Sequence, residues 1–241
     1  MRNLGVGRAG WLWLCLVGLV FWAGCGSEPE TQEPEPSQTT GYEFSPPSQQ
    51  MQVSGLMATI PERKIHATLE PKLPKFQRCF FHGSEDVEFI GGHFRFYFRV
   101  NLQGQVEWVY PQESSVGHRG TERCLLDEAK KTRFPEPKGG DVAELAWGFE
   151  LEPAGDVRAP VVWDAGRVAS VVAEQRASVE ACGSGSYQVT AYVAPGGSVM
   201  AAGAAADSIE AAEAIDCVVD AVKGWTMPDP GSYAAKVSFE L

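Results

Sequence analysis

The chain has 241 residues, with 20 Lys and Arg against 31 Asp and Glu, for a formal net charge of −11. Gripping nucleic acid or holding an anionic bilayer electrostatically requires clustered Lys and Arg, so this balance argues against both. The length suits one or two domains.

Residues 1–25 read as an export signal. Arg2 and Arg8 form a short positive region, and Ala9 to Ala23 is almost wholly apolar before Gly24-Cys25. A secretory signal has this layout, and the run is shorter than the roughly 20 residues of a membrane span. It resembles the lipoprotein type of signal, which implies cleavage before Cys25 and diacylation of that cysteine. Cys15 follows Leu14 and does not fit the acceptor position. An uncleaved N-terminal anchor is the competing reading. Gly26 follows the acceptor, and that residue points to the outer membrane. Loss of Arg2 and Arg8 would take the charge to −13.

Residues 26–57 read as a linker. Glu28, Pro29, Glu30, Glu33, Pro34, Glu35 and Pro36 alternate acid with proline, and polar residues continue to Gln50. Such a composition buries too little apolar surface to offset chain entropy. Like charges and proline extend it, to at most about 90 Å at roughly 3.1 Å per residue.

The remainder carries an internal repeat, with copies assigned to 58–153 and 158–241. Ile65, Leu69 and Phe76 precede Cys79 by 14, 10 and 3 residues, as Val168, Val172 and Val179 precede Cys182. Gly104-Gln105-Val106 starts 20 residues before Cys124, and Gly197-Ser198-Val199 starts 20 before Cys217. Pro135-Glu136-Pro137 and Pro228-Asp229-Pro230 both begin 11 residues after those cysteines. Ten extra residues between Cys79 and Gly104 are the main difference between the copies.

Each copy opens with apolar residues at helical spacing (Glu62 to Phe80; Asp164 to Cys182), with Pro71 and Pro74 predicted to kink the first copy's helix. A strand follows, in which Phe94, Phe96, Phe98 and Val100 alternate with Arg95, Tyr97 and Arg99; Tyr187 to Val193 is its counterpart. Glycine turns, Asn101 to Gly104 and Pro195 to Gly197, return the chain as a hairpin. A second helix comes next; in the second copy Asp207 or Ser208 is placed to cap it. Its expected buried stripe is Ala214, Val218, Ala221, Val222 and Trp225. The Pro-acid-Pro turn ends that helix, and a last alternating strand closes the unit. The expected fold class is α+β: two tandem α-β-β-α-β units, each a three-stranded antiparallel sheet with two helices on one face.

Four cysteines remain once Cys15 and Cys25 are set aside, and they permit three pairings. Cys79–Cys124 and Cys182–Cys217 is the pairing that respects the repeat. A metal site is the rival reading, but there is no C-x-x-C and no cysteine at ligand spacing from a histidine. No metal and no cofactor is expected.

A helix ending in cysteine, a hairpin with a glycine turn, a second cysteine on a helix, Pro-x-Pro and a closing strand together resemble the TonB-like C-terminal domain. The likeness is to its AgmX/PglI C-terminal variant and covers about residues 58–151 and 160–241. Trp225-Thr226-Met227-Pro228-Asp229-Pro230 follows that family's Trp-x-aromatic-Pro-x-Pro pattern, with Met227 at the aromatic place. The first copy has Thr132 at the Trp place and keeps Phe134. The resemblance implies a non-catalytic envelope lipoprotein, in some relatives associated with gliding or envelope machinery.

Candidates for chemistry are few. His66, His82, His93 and His118 are scattered, and His82-Gly83-Ser84-Glu85-Asp86 reads as a solvated loop in the ten-residue insertion. Ser114-Ser115 has no elbow motif around it. Gly183-Ser184-Gly185 and the small residues Ala201 to Ala206 lack a phosphate-binding signature. Three functions follow: a tethered binding or scaffold module that accepts a partner strand at a sheet edge, a structural protein whose two sheets pair into one, or a hydrolase using the insertion. The first leads, with envelope proteins as partners, and no catalytic residue is assigned.

Overall fold

Proline decides where the first helix breaks. In the computed structural model, which describes residues 57–153 and 155–241, α1 (Glu62–Leu69) gives way to a 3-10 turn at Glu70–Lys72. The ladder resumes in α2 (Leu73–Asp86). Pro71 and Pro74 each sit in the first turn of their segment, where a missing N–H costs nothing. The export signal, Cys25 and the linker up to residue 56 lie outside the described residues. Among the described residues no helix is long and apolar enough to cross a membrane.

The rest of the first half is β1 (Gly92–Asn101), β2 (Val106–Ser114), α3 (Arg119–Lys130) and β3 (Val142–Leu151). Its sheet is antiparallel in the order β2-β1-β3. Period-two alternation sends Phe94, Phe96, Phe98 and Val100 to the helical face, all at 0% exposure. Phe76 of α2 stacks on Phe149 at 5.4 Å and lies against Phe96 at the same distance. Burying one such ring is worth roughly 1.5–3 kcal/mol, so this aromatic layer dominates the first core.

The second half runs β4 (Val161–Trp163), a 3-10 turn (Ala165–Val168), α4 (Ala169–Glu180), β5 (Tyr187–Val193), β6 (Val199–Ala206), α5 (Ile209–Ala212), α6 (Ile215–Lys223) and β7 (Ala235–Glu240). Its sheet has four strands, in the order β4-β7-β5-β6, where three are expected from sequence. The added strand is β4, parallel to β7. It is anchored by buried Trp163, whose ring is covered by the Arg167 guanidinium at 4.4 Å. The second helix divides into α5 and α6. Ser208 Oγ accepts from the Ala211 N–H and caps α5. The buried stripe of α6 is Ile215, Val218, Val219 and Val222, continued by Trp225, and Ala214 and Ala221 fall to its margin. The break after Ala212 rotates the stripe from the expected register.

Two further expectations change. His82 to Asp86 is the last turn of α2, not a loop, and the connecting loop is Val87 to Gly91 with Val87, Phe89 and Ile90 buried. The two sheets do not join: the ladders are separate, and the halves meet by packing β2 against β6.

Both cysteine pairs form, Cys79–Cys124 with Cα atoms 5.5 Å apart and Cys182–Cys217 at 5.6 Å. The first ties α2 to α3, and the second ties the turn just after α4 to α6, each within its own half. They close loops of 45 and 35 residues, worth about 4 kcal/mol apiece in the loop-entropy account.

The glycine turns are fixed by the Pro-acid-Pro turns. Gly104 and Gly197 have φ of +72° and +86°. The Phe134 N–H donates to the Gly104 carbonyl at 2.8 Å, and the Met227 N–H donates to the Gly197 carbonyl at 2.8 Å. A Cβ at Gly104 would collide with the Phe134 carbonyl oxygen, and one at Gly197 with that of Met227. Gly197→Ala is therefore expected to destabilise by about 1–3 kcal/mol in urea unfolding, and Gly155→Ala, with open space around it, by less than about 0.5 kcal/mol. Equal effects would contradict this account of the turn.

Candidate functional site

A carboxylate closes the seam between the halves. Glu122, on the first turn of α3, is 0% exposed. Ser114 Oγ donates to its Oε1 at 2.6 Å, and the Ala204 backbone N–H donates to its Oε2 at 3.1 Å. β6 is the last strand of its sheet, so this side chain satisfies a backbone group at a strand edge. Glycine makes room: a Cβ at Gly203 would clash with the Glu122 carboxylate. The run Ala201 to Ala206 is explained in the same way. β6 is buried on both sides, by α6 and by the first half, and only small residues fit there.

Around this carboxylate the halves are tied by charge and by backbone groups. Arg119 Nε and Arg123 Nη2 each reach Asp216 of α6 at 2.6 Å. Arg119 Nη1 also lies 3.8 Å from Glu122 Oε2. The hydrogen bond from Arg123 is the main influence holding the Asp216 carboxyl below its ordinary range. A cleft of about 190 Å³ opens here, lined among others by His118, Arg119, Met200, Asp216 and Lys223. On the other flank, Tyr192 Oη accepts from the Gly91 N–H at 3.2 Å, and Lys236 Nζ donates to the Gly91 carbonyl at 2.6 Å. Phe89 packs on Tyr192 at 5.5 Å and on Tyr233 at 5.9 Å. The loop from Val87 to Gly91 thus grips the second half.

The outer face of the first sheet carries a ladder of side chains. Tyr97 Oη donates to Glu144 Oε2 at 2.8 Å, and the phenol is pushed up to about 12, chiefly by burial and then by that carboxylate. Arg99 lies between Glu107 (3.2 Å) and Glu144 (3.8 Å). Arg95 Nε donates to Gln112 at 3.1 Å, and His93 stands 3.5 Å from Glu113 and 3.7 Å from Glu150. These exposed pairs are each worth at most about 1 kcal/mol. Beyond them lies a strand edge with no further strand among the described residues. β3 pairs with β1 on one side and ends the sheet on the other. On that open side Ala58 N–H donates to the carbonyl of Val142, its first residue, at 2.7 Å.

The other edges are less available. β2 and β6 lie against each other at the seam, and β4 is three residues long. β7, the closing strand of the second half, has β4 beside it, while among the described residues β3 has only the Ala58 N–H bond to Val142 on that side.

The residues singled out from sequence do not converge on one site. His66 lies between Glu62 and Glu70 on the α1 surface, at 3.7 and 3.9 Å. His82 and Glu85 are exposed and 3.9 Å apart. His118 caps α3 through Nδ1, which accepts from the Thr121 N–H, and burial pushes its imidazole pKa down. Ser115 Oγ accepts from the His93 N–H at 2.9 Å. Ser184 stands exposed in the turn between α4 and β5. Among the described residues no three His, Cys, Asp or Glu side chains are grouped to hold a metal. Sequence reasoning missed Glu122, Arg119, Asp216 and Tyr192. One signal was present: Glu122 stands two residues before Cys124, where the second half has Ile215 two before Cys217. An acid at an isoleucine position marks an unusual environment.

No family model matches this chain, and no match was found among curated proteins or among solved structures.

Burial raises the Glu122 pKa, against the Ser114 and Ala204 hydrogen bonds and the Arg119 charge, which lower it. A carboxyl with a raised folded-state pKa stabilises the fold most fully below its unfolded value of about 4.3, and that contribution fades as pH rises through the folded value. Glu122→Gln removes this titration. Relative to that variant, the native chain is expected to lose stability as pH rises from 4 to 8, measured by urea midpoints. A difference that does not change with pH would contradict a raised pKa at Glu122.

Proposed function

We propose that this chain is a non-catalytic, lipid-anchored envelope protein that docks extended segments of partner proteins along β3. The open side of β3 is the observation that carries this reading. A strand edge presents unpaired N–H and C=O groups that a partner chain can complete. β3 runs ten residues and ends its sheet, long enough for a stable added strand.

We read the two halves as tandem copies of one α-β-β-α-β unit of the TonB-like kind. In support, the glycine turn, the Pro-acid-Pro turn and the disulfide recur at matched offsets and make matched bonds. Within that reading the second copy has its closing strand covered by β4, and the first copy keeps the exposed edge. Oxidised cysteines support an exported protein, and acylation of Cys25 at the outer membrane, facing the periplasm or the cell surface, would tether it there. The linker would then let the domain reach away from the bilayer. The polar side chains that might suggest catalysis have structural partners: Ser114 with Glu122, and His118 with the α3 backbone.

A photo-crosslinking residue placed at Ala146 of β3 tests the docking edge in intact cells. A defined adduct is expected from that position and none from Ala173, which is exposed on α4. Equal adducts from both positions, or none from Ala146, would count against it. Replacing Cys25 with Ala is expected to release the chain from the membrane fraction.

A further inference from the structure

The residues along the open edge specify more than an unpaired backbone. The outer-face positions of β3 are Glu144, Ala146, Gly148 and Glu150 in alternation. The two acids are six residues apart, about 20 Å at roughly 3.4 Å per residue. Arg99 and His93 of β1 lie beside them, and the Lys236 ammonium of β7 acts on Glu150 as well. Among the described residues β3 ends the sheet, so each carboxylate has a side away from β1. Side-chain exposure is 26% at Glu144 and 44% at Glu150, enough for both to be reached. Between them Ala146 is half-buried and Gly148 is buried. Gly148 lies so close to the Phe94 carbonyl and Arg95 that even a Cβ would be crowded there.

We propose that β3 selects an extended basic segment: Lys or Arg at two positions six residues apart. This rests on the docking role of β3 and adds the chemistry of its partner. A strand laid beside β3 places alternate side chains on the same face, where opposite charges attract and like charges repel. Its outer residues would meet, in order, a carboxylate, two small residues, and a second carboxylate. The pattern reads the same in both directions, so it serves a parallel or an antiparallel partner. It also disfavours two rivals. Pairing β3 with the β3 of a second copy would set carboxylates against carboxylates, and the acidic residues of the 26–57 linker carry the same sign. The chain's net charge of −11 reinforces the preference for a basic partner.

Three synthetic peptides of ten residues test it, identical except for Lys, Gln or Glu at the two outer positions. Binding to the full chain is measured by fluorescence anisotropy at low salt, with backbone amide protection of β3 followed in the same samples. The Lys peptide is expected to bind about three- to tenfold more tightly than the Gln peptide, as two cross-strand ion pairs allow, and the Glu peptide more weakly than either. Glu150→Lys leaves one carboxylate and one ammonium along the edge, so it should bring the Lys and Glu peptides to similar affinity; Glu150 is exposed, so the fold should survive the change. Equal affinities with β3 protected would overturn the basic preference and leave the docking edge intact. Absence of β3 protection with every peptide would overturn the docking edge itself.

Discussion

Burying an unsatisfied backbone amide costs on the order of 1–3 kcal/mol, and a strand edge pressed against another layer risks that cost at every second residue. At the seam the Glu122 carboxylate meets the Ala204 N–H, its other oxygen holds Ser114, and Gly203 clears the space it occupies. The rest of the arrangement depends on this contact. Once β6 is sealed by the first half, its outer side is no longer open to another chain. The same packing holds β2 at the seam and brings Arg119 and Arg123 onto Asp216.

An asymmetry follows. The inner faces of the two sheets are covered by their own helices, but the outer face of the second sheet is also covered, by Phe89, Gly91 and α3 of the first half. That is why its strands carry Thr190, Ala201 and Gly203 at positions facing the seam, where the first sheet's outer face has Arg99, Trp108 and Glu144. The first sheet keeps a charged, partly exposed face and an open closing strand.

Much of the local structure was legible because its causes are local. The alternation of Phe94, Phe96 and Phe98 with Arg95 and Tyr97 defines a two-faced strand, and Pro71 and Pro74 mark the helix break. Gly104 and Gly197 show as turns because L side chains avoid their backbone angles. What was not legible arises from contacts distant in sequence. Glu122 meets Ala204 across 82 residues, and nothing near Glu122 announces burial apart from its mismatch with Ile215. The insertion after Cys79 looks like a polar loop because His82 to Asp86 is polar, but α2 continues through it on an exposed turn. The gripping residues lie behind it, Phe89 and Gly91. β4 was hidden for a similar reason: three residues carry too little pattern to reveal a parallel pairing.

Residue-resolved amide hydrogen exchange tests directly whether the first half seals one edge and leaves another open. The Ala204 amide should exchange slowly, near the rate set by global unfolding, while alternate amides of β3 between Ala143 and Glu150 exchange quickly. Rapid exchange at Ala204, or uniform protection along β3, would contradict that division of the two edges.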